Sequence, residues 1–121
     1  MKTGFFSIGL STYWGQYEGL LARLTGYHND IAARLRETGS ELVDAGMVDD
    51  PTKARQAAEL FQSHGVGLIC LHVSTYALSS TVLPVVQQAR CPVLLLNLQP
   101  TSAIDYDRLN SLPDRVAMTG E

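Results

Sequence analysis

The sequence of 121 residues has no long apolar run. The apolar stretch that follows Lys2 ends by Leu10, so it is too short for a signal peptide or a membrane-spanning helix. Lysine and arginine are scattered, and the formal net charge is −3. A basic stripe that would bind nucleic acid and a basic amphipathic helix that would bind a membrane are therefore both lacking. We expect a soluble, cytoplasmic protein.

Cysteine is scarce, and several signature motifs are missing. Cys70 and Cys91 do not form a C-x-x-C pair, and Cys70 lies in an apolar run as a small buried residue would. This usage suits a reducing compartment. Neither G-x-G-x-x-G nor G-x-x-x-x-G-K-[ST] occurs, which argues against a nucleotide-phosphate loop.

The residue types that catalysis and metal binding need are also poorly placed. No carboxylate follows the first, third or fourth predicted strand, which argues against a phospho-accepting receiver domain. His28, His64 and His72 are not spaced as metal ligands, and no Ser/His/Asp arrangement is indicated by their order. We predict no catalytic or metal-binding residue in this chain, and we interpret His72 as a hydrogen-bonded structural residue.

What the sequence does contain is a regular alternation of strand and helix patterns. Asp50-Pro51 is a strong helix start and Gly65 a helix stop. The predicted strands are Gly4–Leu10, Glu41–Ala45, Gly67–Val73 and Pro92–Asn97, and the predicted helices are Glu18–Thr38, 51–64 and Ser79–Ala89.

Right-handed crossovers turn this order into an α/β fold of three layers. We predict a flavodoxin-like (Rossmann-like) parallel sheet of four strands in the order 2-1-3-4, lacking a fifth strand. Residues 1–103 form this domain, and residues 104–121 form a tail that leads towards a missing following domain.

Uncharged polar and aromatic residues follow the first, third and fourth strands. Because ligands bind at the carboxyl edge of open α/β sheets, these residues are the candidate site. Amides and hydroxyls pair with sugar hydroxyls, and aromatic faces pack against sugar rings. The set suits a neutral polyhydroxylated ligand, and the candidate substrate-binding residues are Ser11, Tyr13, Trp14, Gln16, Tyr76 and Gln99.

Three segments resemble the first domain of the L-fucose/L-arabinose isomerase-like family: 8–15, 67–76 and 92–100. Residues 115–120 also look like the lead-in to that family's next helix. The resemblance implies a metal-dependent aldose–ketose isomerase of several hundred residues, usually with manganese. Its metal ligands and acid–base carboxylates lie in later domains, so none is carried over here.

The same resemblance assigns roles to a few residues. Gln99 matches a glutamine that contacts the sugar, and Tyr13 and Trp14 match positions that line the sugar pocket. Ser11-Thr12 stands where arabinose-specific members have Gln-His, so the particular sugar stays open. The family's first domain often reaches a neighbouring subunit's active site, which implies a homo-oligomer. The isolated chain is expected to be inactive.

Two alternatives remain. A free-standing flavin-binding module would place a phosphate at Ser11-Thr12 and the flavin ring between Trp14 and Tyr76, and the purified protein would be yellow. A truncated interaction domain would self-associate and show no affinity for sugar.

Overall fold

The computed structural model describes residues 1–111 of the chain. Within them, the strands are β1 (Lys2–Ile8), β2 (Glu41–Val48), β3 (Leu68–Val73) and β4 (Val93–Leu96). The helices are α1 (Thr12–Gln16), α2 (Leu20–Glu37), α3 (Pro51–His64), α4 (Ser79–Gln88) and α5 (Tyr106–Ser111).

All strand pairs are parallel, and the sheet order is β2-β1-β3-β4. The predicted flavodoxin-like fold with strand order 2-1-3-4 is confirmed. In the described part of the chain the sheet has four strands, as expected. Parallel strands all end at the same edge of a sheet, so the segments that follow β1, β3 and β4 share one edge.

Alternate residues of the central strand β1 face opposite helical layers, as the pleat of a strand requires. Phe5 packs with Ala32 of α2 on one face. Phe6 packs with Phe61 of α3 and Val85 of α4 on the other face. Both phenylalanines are completely buried. The three layers are therefore α2, the sheet, and the α3–α4 pair.

The second strand is longer than predicted. It continues through the expected loop to Val48 because a bulge absorbs Ala45 and Gly46: Phe5 pairs with Asp44, whereas Ser7 pairs with Met47. Gly46 has a φ of 72°, a value that favours glycine. In the sequence this glycine resembles the start of a loop, which explains the short prediction.

The helix boundaries follow the predicted signals closely. Asp50 caps α3 by accepting a hydrogen bond from the Lys53 backbone N–H, and Gly65 ends that helix with a φ of 61°. The start of the first predicted helix differs. The short helix α1 lies within the segment expected to be a loop, and α2 begins only after Gly19, which has a φ of 77°.

The predicted tail contains α5, and its remainder, including the segment 115–120, lies outside the described residues. Among the helices that the structure describes, none combines the length and apolar character needed to cross a membrane.

Candidate ligand-binding rim and the polar network beneath it

The carboxyl edge of the sheet, which we call the rim, begins with the segment that leaves β1. The Gly9 N–H donates to the Val48 carbonyl, and the Ser11 N–H donates to the Asp49 carbonyl. These bonds lead the chain over the end of β2 and position α1 there. The first loop is therefore built against a neighbouring strand end.

Trp14 is held in place on α1 by a side-chain hydrogen bond. Its indole Nε1–H donates to Asp49 Oδ2 at 2.7 Å. The ring also lies against Gly9, where an added Cβ would come within 2.9 Å of the indole. Glycine at this position allows the indole to pack close to the backbone. Part of the Trp14 ring is consequently used for structure, and the residue is half-buried.

Asp49 anchors the indole and is itself almost completely buried. Its Oδ1 lies 2.8 Å from Lys53 Nζ, so the carboxylate is shared between an indole and an ammonium group. A buried carboxylate requires such partners because desolvation without them is costly. Asp50 caps α3 as predicted, whereas the side chain of the neighbouring Asp49 holds Trp14.

The other predicted site residues are spread along the rim. Ser11 and Gln16 are exposed on α1, and Tyr13 packs edge-on against Tyr17 with 5.3 Å between ring centroids. Tyr76 and Gln99 are exposed after β3 and β4. The topology brings all six residues to one edge, with Trp14 on the β2 side and Gln99 beyond β4.

A buried network of polar side chains lies directly beneath the rim. Ser7 Oγ is 2.7 Å from His28 Nδ1 and 2.9 Å from His72 Nδ1. Ser7 and His72 are neighbours across β1 and β3, and His28 comes from α2. A hydroxyl has one proton, so Ser7 donates to one imidazole and accepts from the other.

The network continues to the surface through Asp44. His28 Nε2 lies 2.8 Å from Asp44 Oδ1, and Arg36 Nη2 lies 3.6 Å from Asp44 Oδ2. Burial alone would raise the pKa of Asp44, but hydrogen bonds from His28 and the Gly46 N–H, with the charges of His28 and Arg36, lower it overall. The Phe5 ring stacks on His28 at 4.4 Å.

This Ser7–His28–Asp44 row was not predicted, and it is not a nucleophilic triad. Ser7 is completely buried, and its Oγ is already engaged by two imidazoles. A nucleophile has to reach a substrate, which this hydroxyl does not do. The network instead ties β1, β2, β3 and α2 together below the rim. As predicted, His72 is a hydrogen-bonded residue within the fold.

The stability of the domain should depend on pH through His72. Burial, together with the charge of His28, lowers the pKa of His72 below its ordinary value of about 6.5. At a pH between the lowered pKa of His72 in the folded protein and its ordinary pKa in the unfolded chain, the unfolded chain binds more protons than the folded protein. The free energy of unfolding therefore falls as the pH falls below about 6.5. One such group contributes at most about 1.4 kcal/mol per pH unit.

Urea unfolding at several pH values measures this effect. The variant His72→Gln should have a flatter profile below pH 6.5 than the parent, whereas His64→Gln, at the exposed end of α3, should keep the parent's slope. Equal slopes for the parent and His72→Gln would contradict the assignment.

Two concave regions of the described chain lie away from the rim. The larger, of about 650 Å³, lies between α3 and α4 and is lined in part by Gln62, Gln88 and Cys91. The smaller, of about 380 Å³, lies beside the buried network and includes His28 and Asp44. None of the six predicted site residues lines either region.

Within residues 1–111, no group of three or more His, Cys, Asp or Glu side chains is placed to hold a metal ion. Comparison of the chain with protein-family models, with curated proteins and with solved structures finds no match. The resemblance to the isomerase family therefore depends on the sequence segments quoted above.

Proposed function

We propose that this chain is the N-terminal substrate-recognition and assembly domain of a cytoplasmic, metal-dependent aldose–ketose isomerase, and that its rim binds a monosaccharide. One observation carries the proposal: uncharged hydroxyl, amide and aromatic side chains occupy the carboxyl edge of a parallel sheet, where α/β folds bind ligands. The segments that resemble the isomerase family contain five of the six residues, and Gln16 follows the first of these segments.

Each part of the rim suits a different part of a sugar. Ser11, Gln16 and Gln99 offer exposed donors and acceptors for hydroxyl groups. Tyr13 and Tyr76 offer ring faces for the C–H side of the sugar. The bond from Trp14 to Asp49 fixes the first loop before the ligand arrives, which reduces the entropy lost on binding.

The isolated domain is expected to bind without catalysing. The rim would position an open-chain sugar, and positioning raises the effective concentration of the reacting groups. The divalent metal, manganese or a similar ion, and the acid–base groups would come from another segment or subunit, because the described residues offer no ligand set for them. Assembly into a homo-oligomer would bring the rim to such a site.

A sugar titration tests the proposal. Trp14 is the only tryptophan, so its fluorescence reports on the first loop, and amide chemical shifts report on the whole rim. L-Arabinose, L-fucose and their reduced polyols serve as probes. Gln99→Ala should weaken binding about 3- to 10-fold, as the loss of one hydrogen bond predicts. Gln87→Ala, an exposed glutamine on α4, is the matched control and should leave binding unchanged.

Two results would count against the sugar-binding rim. One is the lack of any shift in rim amides with each probe at about 100 mM, a concentration that would reveal even very weak binding. The other is equal affinity in Gln99→Ala and Gln87→Ala. If flavin mononucleotide instead quenches Trp14 and the purified protein is yellow, the flavin-binding alternative replaces the proposal.

A further inference from the structure

The two edges of the sheet are built differently. The β2 edge carries the bulge at Ala45 and Gly46, the partly buried Asp44, and Glu41, which pairs with Lys2 at 3.7 Å. Bulges and charged side chains are the usual devices by which proteins prevent further strands from pairing at an edge. The free side of β2 is therefore protected.

The β4 edge has none of these devices. Its sequence, Val93–Leu96, is entirely aliphatic and pairs with β3 without a register shift. Leu94 is 49% exposed and Leu95 is 60% exposed, and successive residues of a strand point to opposite faces. Parallel sheets normally have both faces covered. Something beyond the edge is needed to cover both leucines.

Charge is also missing from this half of the domain. Among Asp, Glu, Lys and Arg, only Arg90 occurs between residues 60 and 104. We use the term β4 patch for the exposed apolar side chains on α4, β4 and the segment that follows, namely Leu83, Val86, Leu94, Leu95 and Leu98. Exposed apolar surface of this kind marks an interaction site.

We propose that the β4 patch is the contact between two copies of this chain, joined by antiparallel pairing of β4 with β4. At a two-fold axis a residue meets its own copy, so a charge on the axis would meet a like charge. The near absence of charge between residues 60 and 104 removes this repulsion. A neutral apolar edge is thus suited to a second copy.

The backbone limits the registers that the pairing can take, and we propose the one centred on Leu95. The Ile69 N–H donates to the Pro92 carbonyl, so Pro92, Leu94 and Leu96 direct their backbone groups towards β3. Because alternate residues of a strand point their N–H and C=O groups to opposite sides, Val93 and Leu95 direct theirs outwards. The symmetric arrangement places Leu95 opposite Leu95 of the second copy, and Val93 opposite Asn97.

This pairing would make one continuous sheet of eight strands from the two four-stranded sheets. It would cover Leu94 and Leu95 on their two faces by cross-strand contacts. The β4 patch would thus be the surface through which the domain assembles, and this role rests on the function proposed above. The pairing does not depend on sugar binding. A negative sugar titration would leave the dimer proposal standing, and a monomeric protein would leave the sugar-binding proposal standing.

Sedimentation equilibrium and light scattering of the full chain, from about 1 µM to about 200 µM, test the pairing. The parent should be a dimer that dissociates on dilution. Leu95→Lys introduces a charge at the two-fold axis and should weaken dimerisation at least 10-fold. Leu95→Pro removes the N–H group that points outwards and should weaken dimerisation to the same extent. The domain should tolerate this proline because the hydrogen bonds between β4 and β3 do not use that N–H group.

Leu21→Lys, an exposed leucine on α2, is the matched control and should dimerise like the parent. Hydrogen exchange of the Leu95 amide should be slow in the dimer and fast on dilution. A parent that is monomeric throughout this concentration range would overturn the proposal. Dimerisation of Leu95→Lys and Leu95→Pro at the parent's affinity would overturn it as well, and circular dichroism establishes that both variants are folded.

Discussion

Replacing Ser7 with alanine should lower the free energy of unfolding by about 2–5 kcal/mol, because each buried polar group left without a partner costs about 1–3 kcal/mol. The Ser7 hydroxyl bonds both His28 and His72, and both imidazoles are almost completely buried. The loss would consume much of the stability of a small domain, which is about 5–15 kcal/mol. Urea unfolding of Ser7→Ala and the parent provides the measurement.

Two further variants distinguish the loss of the buried hydrogen bonds from the effect of removing any serine hydroxyl. Ser63→Ala removes an exposed hydroxyl that bonds the Leu60 carbonyl within its own helix, and should change stability by less than about 0.5 kcal/mol. Ser7→Ala combined with His72→Leu should regain part of the loss, since removing both partners is less costly than removing one. A Ser7→Ala variant as stable as Ser63→Ala would show that the network is not needed for stability.

Replacing Gly4 with valine should destabilise the domain by about 3 kcal/mol, because excess volume in a packed core forces neighbours to shift. An added Cβ at Gly4 would lie 2.9 Å from the Phe61 ring of α3. Phe61 is almost completely buried and packs against Phe6 of the central strand, so the added side chain displaces a ring of the core. Thermal unfolding should show a clear drop in the melting temperature.

A second substitution, at Phe61, tests whether the contact with its ring causes the loss of stability. Gly4→Ala should be rescued in part by Phe61→Leu, which shortens the side chain that the new Cβ meets, and the double-mutant cycle should show a favourable coupling. Gly15→Ala is the matched control, since nothing lies within 4 Å of a Cβ added there. If Gly4→Ala and Gly15→Ala have the same melting temperature, the close contact with Phe61 is not limiting.

The fold was predictable because its signals are local. Apolar runs predicted the strands at Leu68–Val73 and Val93–Leu96. The helix α3 begins after the cap at Asp50 and ends at Gly65, which has a positive φ, as expected. The second strand was predicted too short because glycine in a bulge and glycine in a loop have the same local sequence pattern.

The contacts beneath the rim could not be predicted, since each joins residues that are distant in the chain. Nothing near Trp14 indicates that Asp49 will accept its indole proton, and nothing near Ser7 indicates His28. One signal was available: Ser7 and His72 are isolated polar residues within apolar strands, and a buried polar residue requires a partner. Placement at the rim agrees with the topology, while sugar binding there stays a prediction.

The position of β1 between β2 and β3 has a kinetic consequence. This strand precedes both neighbours in the chain, and Thr3 pairs with Leu42 on one side and with Leu68 on the other. During synthesis on the ribosome, Phe5 and Phe6 therefore cannot be fully buried until β3 has emerged. Pairings between such distant segments also slow refolding, because the intervening chain must close into a loop before the contacts form. The newly made β1 is thus completed as a central strand only after the chain has been extended through Val73.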